Sequence, residues 1–497
     1  MKALMKQAGM VPGFLLKSQG RDLYLLPWEY GPFLSAERET IPGTGEEAMM
    51  LDFRLTDRQL ELQQKARRFA LEKVLPEAAY YDQIDAVPVH LLRDAFDAGI
   101  FGADIPEKYG GQGHGIVDGV LVTEEIAAAC PGIATSVFDN SLGLEPVLLC
   151  DNEVLKERIL PRIAGEFKLI SFATSEPGMG SDVSGIRCRA TPDGDDYILN
   201  GTKYWVTNGS IADYYSIFAT VDPKEKHKGI CAFLVERDRE GVTVGQRIPK
   251  LGQRCSNTVG VHFDNVRIPK ESMLAEPGQG FYLAMKTFSR TRPAIGAFSV
   301  GAARSAMEYA IEYVKKRQAF GTKLANFQAL QFKIAEMYQK VETSRLLTLK
   351  AAWAADNGMD PTVDASIAKF YASEAALEVA NEALQIFGGY GYTRMFPIEK
   401  LLRDIRLFRI YEGTSEIQRM IVSGHALNVY QPVMPPLEDL PLHQDRDPET
   451  VNQPDEPETT AWRCRMCGYV HYGEEPPEQC PYCFFPKSAF KGPAEPG

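Results

Sequence analysis

Two groups of residues in this chain have the types and spacing for chemistry. Near the C-terminus, Trp462-Arg-Cys464-Arg-Met-Cys467-Gly-Tyr469 is followed by Glu478-Gln-Cys480-Pro-Tyr-Cys483. The two Cys-x-x-Cys pairs stand twelve residues apart, which lets four thiolates converge on one tetrahedral metal, zinc or iron. A segment of about 35 residues has too small a core to be stable alone, so a metal cross-link makes physical sense there. The second group is Ile410-Tyr411-Glu412-Gly413-Thr414-Ser415-Glu416-Ile417-Gln418. A carboxylate beside glycine, set between apolar and aromatic residues, can be desolvated and approached closely by a ligand backbone. Desolvation raises a carboxyl toward the range of a general base.

Three further segments have the make-up of a cofactor cradle. Thr174-Ser175-Glu-Pro-Gly-Met-Gly-Ser181-Asp182 is a turn-forming, hydroxyl-rich loop that could face polar ring edges. Tyr204-Trp205-Val-Thr207-Asn-Gly209 carries an aromatic plane and a hydroxyl at opposite ends of a short strand. Arg317-Gln-Ala-Phe320-Gly-Thr-Lys follows a helix and offers a guanidinium for a pyrophosphate. Taken singly these read equally as a surface turn, a hairpin and an exposed helix-end arginine. No Gly-x-Gly-x-x-Gly after a strand and no phosphate-cradling lysine loop occurs before residue 430, so a dinucleotide must be held in another way.

The elements that must position these residues follow from periodicity. Residues 1–50 form an N-terminal extension without a sustained helical period, and a fresh start is possible at Met49 or Met50. From Asp52 the pattern turns helical: Thr56-Asp-Arg-Gln-Leu60 gives an N-cap signal, and Leu62, Ala66, Phe69 and Ala70 recur at helical spacing. Residues 51–165 read as helical, broken by Tyr109-Gly-Gly-Gln-Gly113, and residues 166–275 as a β-domain. In the latter Ile186–Ala190 alternates, Pro192-Asp-Gly194 turns, and Tyr197-Ile-Leu199 runs into the hairpin dipeptide Asn200-Gly201. Residues 276–430 return to a helical period, with Leu330, Ile334, Met337 and Val341 as a buried stripe. Residues 431–460, rich in Pro, Asp and Glu, form a linker, and 461–493 the cysteine module.

Bulk properties narrow the class. With 44% apolar and 24% charged residues the composition is that of a globular protein, and no run of about 18 uncharged apolar residues would span a membrane. A formal charge of −12 argues against nucleic acid. Cys130, Cys150, Cys188, Cys231 and Cys255 stand singly, as buried thiols in a reducing compartment do, and the N-terminus lacks a signal-peptide pattern. A bacterial cytoplasm is expected.

These segments, in this order, resemble the acyl-CoA dehydrogenase family over residues 52–428, most closely its medium- and short-chain members. The likeness extends to Thr291-Arg292-Pro293 and Gln385-Ile-Phe-Gly388-Gly389-Tyr-Gly. The fold it implies is an α-helical N-terminal domain, a β-barrel-like middle domain and a C-terminal four-helix bundle, in a homotetramer binding FAD. The cysteine string through Phe490 resembles the rubredoxin-like domain that ends rubrerythrins, which favours one iron over zinc. By position, Glu412 looks like the catalytic base. The family's alternative base position falls at Thr291, which cannot serve. Phe172, Thr174, Ser175, Ser181, Trp205, Thr207, Thr414 and Glu416 look like flavin contacts. So do Arg317, Phe320, Gln328, Gln385, Gly388 and Gly389, with Arg317 and the 385–389 turn reaching a partner subunit's cofactor. Ser181, Ser289, Arg292, Tyr411 and Gly413 look like contacts to the substrate; Ser289 departs from the acidic residue common there.

The implied chemistry is α,β-desaturation of a short-, medium- or branched-chain acyl-CoA. Glu412 takes the α-proton, the β-hydrogen leaves as hydride to the flavin, and a trans-2-enoyl-CoA results. Electrons then pass singly to an electron-transfer flavoprotein or the tethered Fe(Cys)4 centre. Phe138 falls where the family's acyl pocket ends and could shorten it, or point into the core. Ala134 replaces the arginine of glutaryl-type members, which disfavours a dicarboxylic chain. Three rivals stand beside it: an enoyl-CoA reductase working in reverse through the metal module, a flavin oxidase or monooxygenase on this fold, the latter opposed by Glu412, and an inactive scaffold with a structural zinc ribbon.

Overall fold

The computed structural model describes residues 54–102, 104–434, 436–437, 461–481 and 485–492. The expected N-terminal extension, most of the expected linker and the fourth cysteine, Cys483, lie outside the described residues.

The helical part opens with α1 (Asp57–Phe69), capped as expected: Gln59 N–H donates to Thr56 Oγ1 and Thr56 N–H to Gln59 Oε1. A π-helical turn, Ala70–Val74, joins it to α2 (Leu75–Ile84), and α3 (Val89–Asp97), α4 (Ile116–Ala129), α5 (Pro131–Leu149) and α6 (Glu153–Gly165) follow. β1 (Ile170–Ala173), β2 (Arg189–Asp193), β3 (Asp196–Thr207), β4 (Tyr214–Thr220), β5 (Ile230–Glu236), β6 (Val242–Arg247), β7 (Thr258–Ile268) and β8 (Met273–Ala275) form one eight-stranded sheet. Its order is β6-β7-β3-β2-β4-β5-β8, with β1 pairing parallel to β4.

The sheet corrects two local expectations. The β2–β3 hairpin turns between Asp193 and Asp196, but Asn200-Gly201 lies inside β3 at an irregularity in its register with β7. The Trp205 segment is likewise the end of a twelve-residue strand rather than a short one, with a second register shift between Lys203 and Val206 and Trp205 at φ +63°.

Helices return with α7 (Gly280–Lys316), the small β9–β10 hairpin (Gln318–Ala319, Thr322–Lys323), α8 (Gln328–Asp356), α9 (Thr362–Phe387), α10 (Ile398–Ile405) and α11 (Ser415–Asn428). The predicted stripe on α8 faces inward: Met337 and Val341 are buried, and Leu330 and Ile334 pack against the same core. α7 packs against α4, α8 and α9. The approach to α4 is close enough that a Cβ on Gly301 would fall 2.2 Å from Glu124 O. At this junction Arg345 pairs with Glu124 at 2.8 Å, and Arg67 and Arg304 both pair with Glu125 at 2.8 Å.

In the C-terminal module β11 (Ala461–Cys464) pairs with β12 (Val470–Tyr472) and β13 (Phe490–Lys491). Cys464, Cys480 and Phe490 form its core. Among the described residues, no helix is long and apolar enough to cross a membrane.

Candidate active site and metal centre

Glu412 lies between α10 and α11 in a left-handed turn, at φ +57°, and Gly413 follows at φ +84°. A side chain on Gly413 would meet Gln418 Nε2 at 2.6 Å, so glycine is needed both for conformation and for space. Three buried side chains hold the backbone of this turn. Arg292 Nε donates to Glu412 O (3.2 Å), Lys369 Nζ to Gly413 O (2.7 Å), and Gln418 Nε2 to Gly413 O (2.9 Å). Thr414 Oγ1 caps α11 by accepting from Ile417 N.

Thr291 Oγ1 lies 3.1 Å from Glu412 Oε2, as a donor to it, and 3.0 Å from Thr287 O. The position that cannot itself act as base therefore touches the carboxylate. Burial raises the Glu412 carboxyl to about 7, against the opposing pull of Arg292, the Thr291 hydrogen bond and Lys369. Burial pushes the Lys369 ammonium down, also to about 7. A carboxyl with this affinity can accept or release a proton at neutral pH. Asp139, a second buried carboxyl, feels the Glu412 charge and is raised by burial well above the usual carboxylate range.

Contacts run from this turn to the sheet. The Arg292 guanidinium lies 5.6 Å from the Phe288 ring, and Phe288 lies 5.4 Å from Phe172 on β1. Ser171 Oγ donates to Thr207 O (2.7 Å), which joins the ends of β1 and β3. The loop after β1 is fixed by the fully buried Lys203, whose Nζ donates to Thr174 O (3.0 Å) and Glu176 Oε1 (2.8 Å). Thr174 Oγ1 is nevertheless buried without a hydrogen-bond partner, as is Asn208 Oδ1. Beside them the Trp205 ring is 56% exposed. Orphaned polar atoms next to an open aromatic face fit the polar edge and plane of a flavin ring.

The expected residues do not all gather here. Arg317, Gly388 and Gly389 instead line a separate open cavity of about 530 Å³ at the C-terminal ends of α7 and α9, with Tyr313 and Tyr390. Gln385 and Gln328 are exposed, and Phe320, at the tip of the β9–β10 hairpin, is 96% exposed. Ser181 and Glu416 are also exposed. Ser289 is buried and turned inward, hydrogen-bonded to Met285 O and Thr362 Oγ1, both at 3.0 Å. Tyr411 stacks on Phe408, 6.1 Å between ring centroids. Phe138 and Ala134 line a cavity of about 110 Å³ together with Thr291, and Phe138 also packs edge-on against Phe298 at 5.4 Å. Phe138 thus both lines this cavity and packs into the core.

The three comparisons agree. Models of the acyl-CoA dehydrogenase N-terminal, middle and C-terminal domains match residues 56–166, 171–266 and 278–427. The "probable acyl-CoA dehydrogenase FadE25" of Mycobacterium tuberculosis is 41% identical over 373 residues, 75% of this chain and 96% of the relative.

The chain belongs to the acyl-CoA dehydrogenase family.

The solved butyryl-CoA dehydrogenase of Megasphaera elsdenii is 38% identical with a TM-score of 0.74, over 76% of this chain and 100% of that one. A chain from a structure of the electron transferring flavoprotein of Acidaminococcus fermentans is 35% identical with a TM-score of 0.74, over 76% and 100%. The family fold, helical, then sheet, then helical, is the one seen here, and membership makes the protein an FAD-dependent oxidoreductase.

Residues 462–491 match the rubredoxin-like domain of rubrerythrin. The thiols of Cys464, Cys467 and Cys480 lie within 4.8 Å of one another, and Cys467 Sγ is 3.6 Å from Cys480 Sγ. Thiolates bound about 2.3 Å from one tetrahedral ion stand about 3.8 Å apart, so the spacing suits a metal. The two knuckles are closed by Gly468 N–H to Cys464 O (2.9 Å) and Cys480 N–H to Phe485 O (2.8 Å).

Sequence reasoning missed Lys369 and Gln418. Lys369 had a signal: it interrupts the small-residue stripe of Ala365, Ala368, Ala372 and Ala376, and a lysine on a buried face needs a partner. All five single cysteines are buried as expected, although Cys130 Sγ also lies 3.8 Å from Cys255 Sγ and 3.2 Å from Lys400 Nζ.

Proposed function

We propose that this protein converts an acyl-CoA to a trans-2-enoyl-CoA, with Glu412 as the base that removes the α-proton. The observation that carries the reading is the Glu412 carboxyl, hydrogen-bonded to Thr291 and raised by burial to about 7. A base of that affinity is ionised near neutral pH yet strong enough to take a proton. Arg292, Lys369 and Gln418 fix the turn, so the carboxyl is oriented before substrate arrives. FAD, when bound, supplies the acceptor for the β-hydrogen as hydride. Thr174, Ser175, Trp205, Thr207 and the start of α11 would hold it within one subunit. Arg317, Phe320, Gln328 and the 385–389 turn would hold the cofactor of a neighbour in a homotetramer. The almost fully exposed Phe320 ring and the open cavity at Arg317 support a covering neighbour.

The cavity bounded by Phe138 supports a short, medium or branched acyl chain. Iron at the Cys464, Cys467, Cys480 and Cys483 thiolates would supply a one-electron centre; zinc would supply none. An electron-transfer flavoprotein is the proposed external acceptor, in line with the Acidaminococcus structure. Five buried, unbridged thiols suit a reducing bacterial cytoplasm.

Anaerobic titration of the purified protein with a panel of acyl-CoAs tests this. Bleaching of the flavin band is expected for at least one thioester, followed by loss of the iron–thiolate bands. Glu412→Gln should slow bleaching by about 10²–10⁴-fold while the acyl-CoA still binds. Equal rates in the two proteins would remove Glu412 as the base.

A further inference from the structure

The cavity beside the catalytic turn is not the plain apolar slot that an alkyl chain requires. Thr291, which touches the Glu412 carboxylate, and Phe138 bound it, as do Ile100, Val120 and Val137. Asp104, Ser141, Glu145 and Arg290 bound it as well. Glu145 is buried and forms an ion pair with Arg290, so its charge is already matched. Among the described residues Asp104 has no such cation; burial raises its carboxyl, with Ser141 as a hydrogen-bonding neighbour. One of its oxygens, Oδ1, is buried and without any hydrogen-bond partner. A buried polar oxygen left unpaired is costly, so a group that supplies the missing bond binds more tightly for it.

We propose that this cavity receives the distal end of an acyl chain bearing an uncharged hydroxyl, with Asp104 Oδ1 as its hydrogen-bond partner. The inference rests on the reading of Glu412 as the base of an acyl-CoA dehydrogenase. A hydroxyl suits the lining better than the charged alternatives. A distal carboxylate would be brought against Asp104 and Glu145. A distal ammonium would be brought against Arg290, and of the lining carboxylates Glu145 is already paired with that arginine while Asp118 accepts from Gly115 N–H. A hydroxyl both donates and accepts, so it can satisfy Asp104 whether that group carries its proton or not.

Two thioesters of matched length, 5-hydroxypentanoyl-CoA and hexanoyl-CoA, test the proposal on the full-length holoenzyme. Both dissociation constants and kcat/KM are measured, and only the ratio within each protein is compared. A preference of about five- to tenfold for the hydroxyacyl compound is expected, the worth of one net hydrogen bond to a buried partner. Asp104→Leu should invert the ratio, whereas Asp104→Asn, which keeps a hydrogen-bonding group there, should preserve its direction. Equal affinities in the wild type would overturn the proposal and leave the cavity as one that holds water. So would a ratio that Asp104→Leu does not move. If both thioesters bind but neither bleaches the flavin, the dehydrogenase reading fails, while the ratio of dissociation constants still decides the pocket.

Discussion

Glu412 owes its proton affinity to opposed influences, and each can be removed separately. Burial raises the carboxyl, while Arg292, the Thr291 hydroxyl and Lys369 lower it, for a balance at about 7. A general base acts in its ionised form, so the role proposed for Glu412 predicts that the rate of flavin reduction falls as pH drops through about 7. Thr291→Val removes one of the lowering influences without changing the side chain's shape. The acid limb should then move to higher pH, by about one unit for the loss of one hydrogen bond to a charged group. Lys369→Met should move it the same way, because the ammonium favours the charged carboxylate. The pH profile of single-turnover flavin bleaching reads both shifts; a limb that stays in place in Thr291→Val would show that the hydroxyl serves Thr287 O alone.

At the scale of elements, the turn between α10 and α11 and the junction of α1, α4, α7 and α8 carry the site. Gly413→Ala would force a Cβ against Gln418 Nε2 at a left-handed φ, and a cost of about 1–3 kcal/mol is expected in thermal or denaturant unfolding. The buried arginine–glutamate junction should be more sensitive. Replacing Arg345 with Met removes the closer of the two arginines paired with the buried Glu124 and leaves only Arg304, at 3.6 Å, at a cost of about 2–4 kcal/mol. Although burial opposes it, the attraction of Arg345 and Arg304 lowers the Glu124 carboxyl to about 2. A depressed carboxyl contributes its stability in full above the unfolded value of about 4.5 and loses it as pH falls toward about 2. Acid titration of unfolding should therefore show a stability loss across that window that Arg345→Met makes smaller, since only Arg304 and Arg67 then hold the carboxyl down.

For the whole molecule, the flavin enzyme and the metal module are covalently joined but separately built. Cys480→Ser removes a thiolate from the three that cluster, and metal content by mass spectrometry should fall to near zero. Flavin content and acyl-CoA bleaching should persist in the same protein, with only the metal lost. A simultaneous loss of flavin would mean that the module also supports the enzyme. Arg317→Ala tests the other long-range expectation: it should weaken retention of FAD on dilution, through a cavity at the C-terminal ends of α7 and α9 rather than at the Glu412 turn.

Local periodicity was enough to define several parts of this protein. The Cys-x-x-Cys knuckles, the stripe on α8 and the cap of α1 depend on residues a few positions apart, so spacing alone specifies them. The Glu412-Gly413 pair was legible for the same reason. What holds the pair was not: Thr291 is 121 residues from Glu412, and Lys369 is 44 from Gly413. Asn200-Gly201 has the composition of a hairpin turn, but pairing with β7 on the neighbouring strand turned it into an irregularity inside β3. The left-handed conformations of Trp205, Phe320 and Glu412 left no mark in the sequence, since none is a glycine. The sequence by itself determined the order of helical and sheet domains, the family and the cysteine knuckles, because these follow from short-range pattern. Only the tertiary structure decided the proton affinity of the base and the polarity of the cavity beside it, because desolvation and charge depend on which distant side chains fold around one carboxyl.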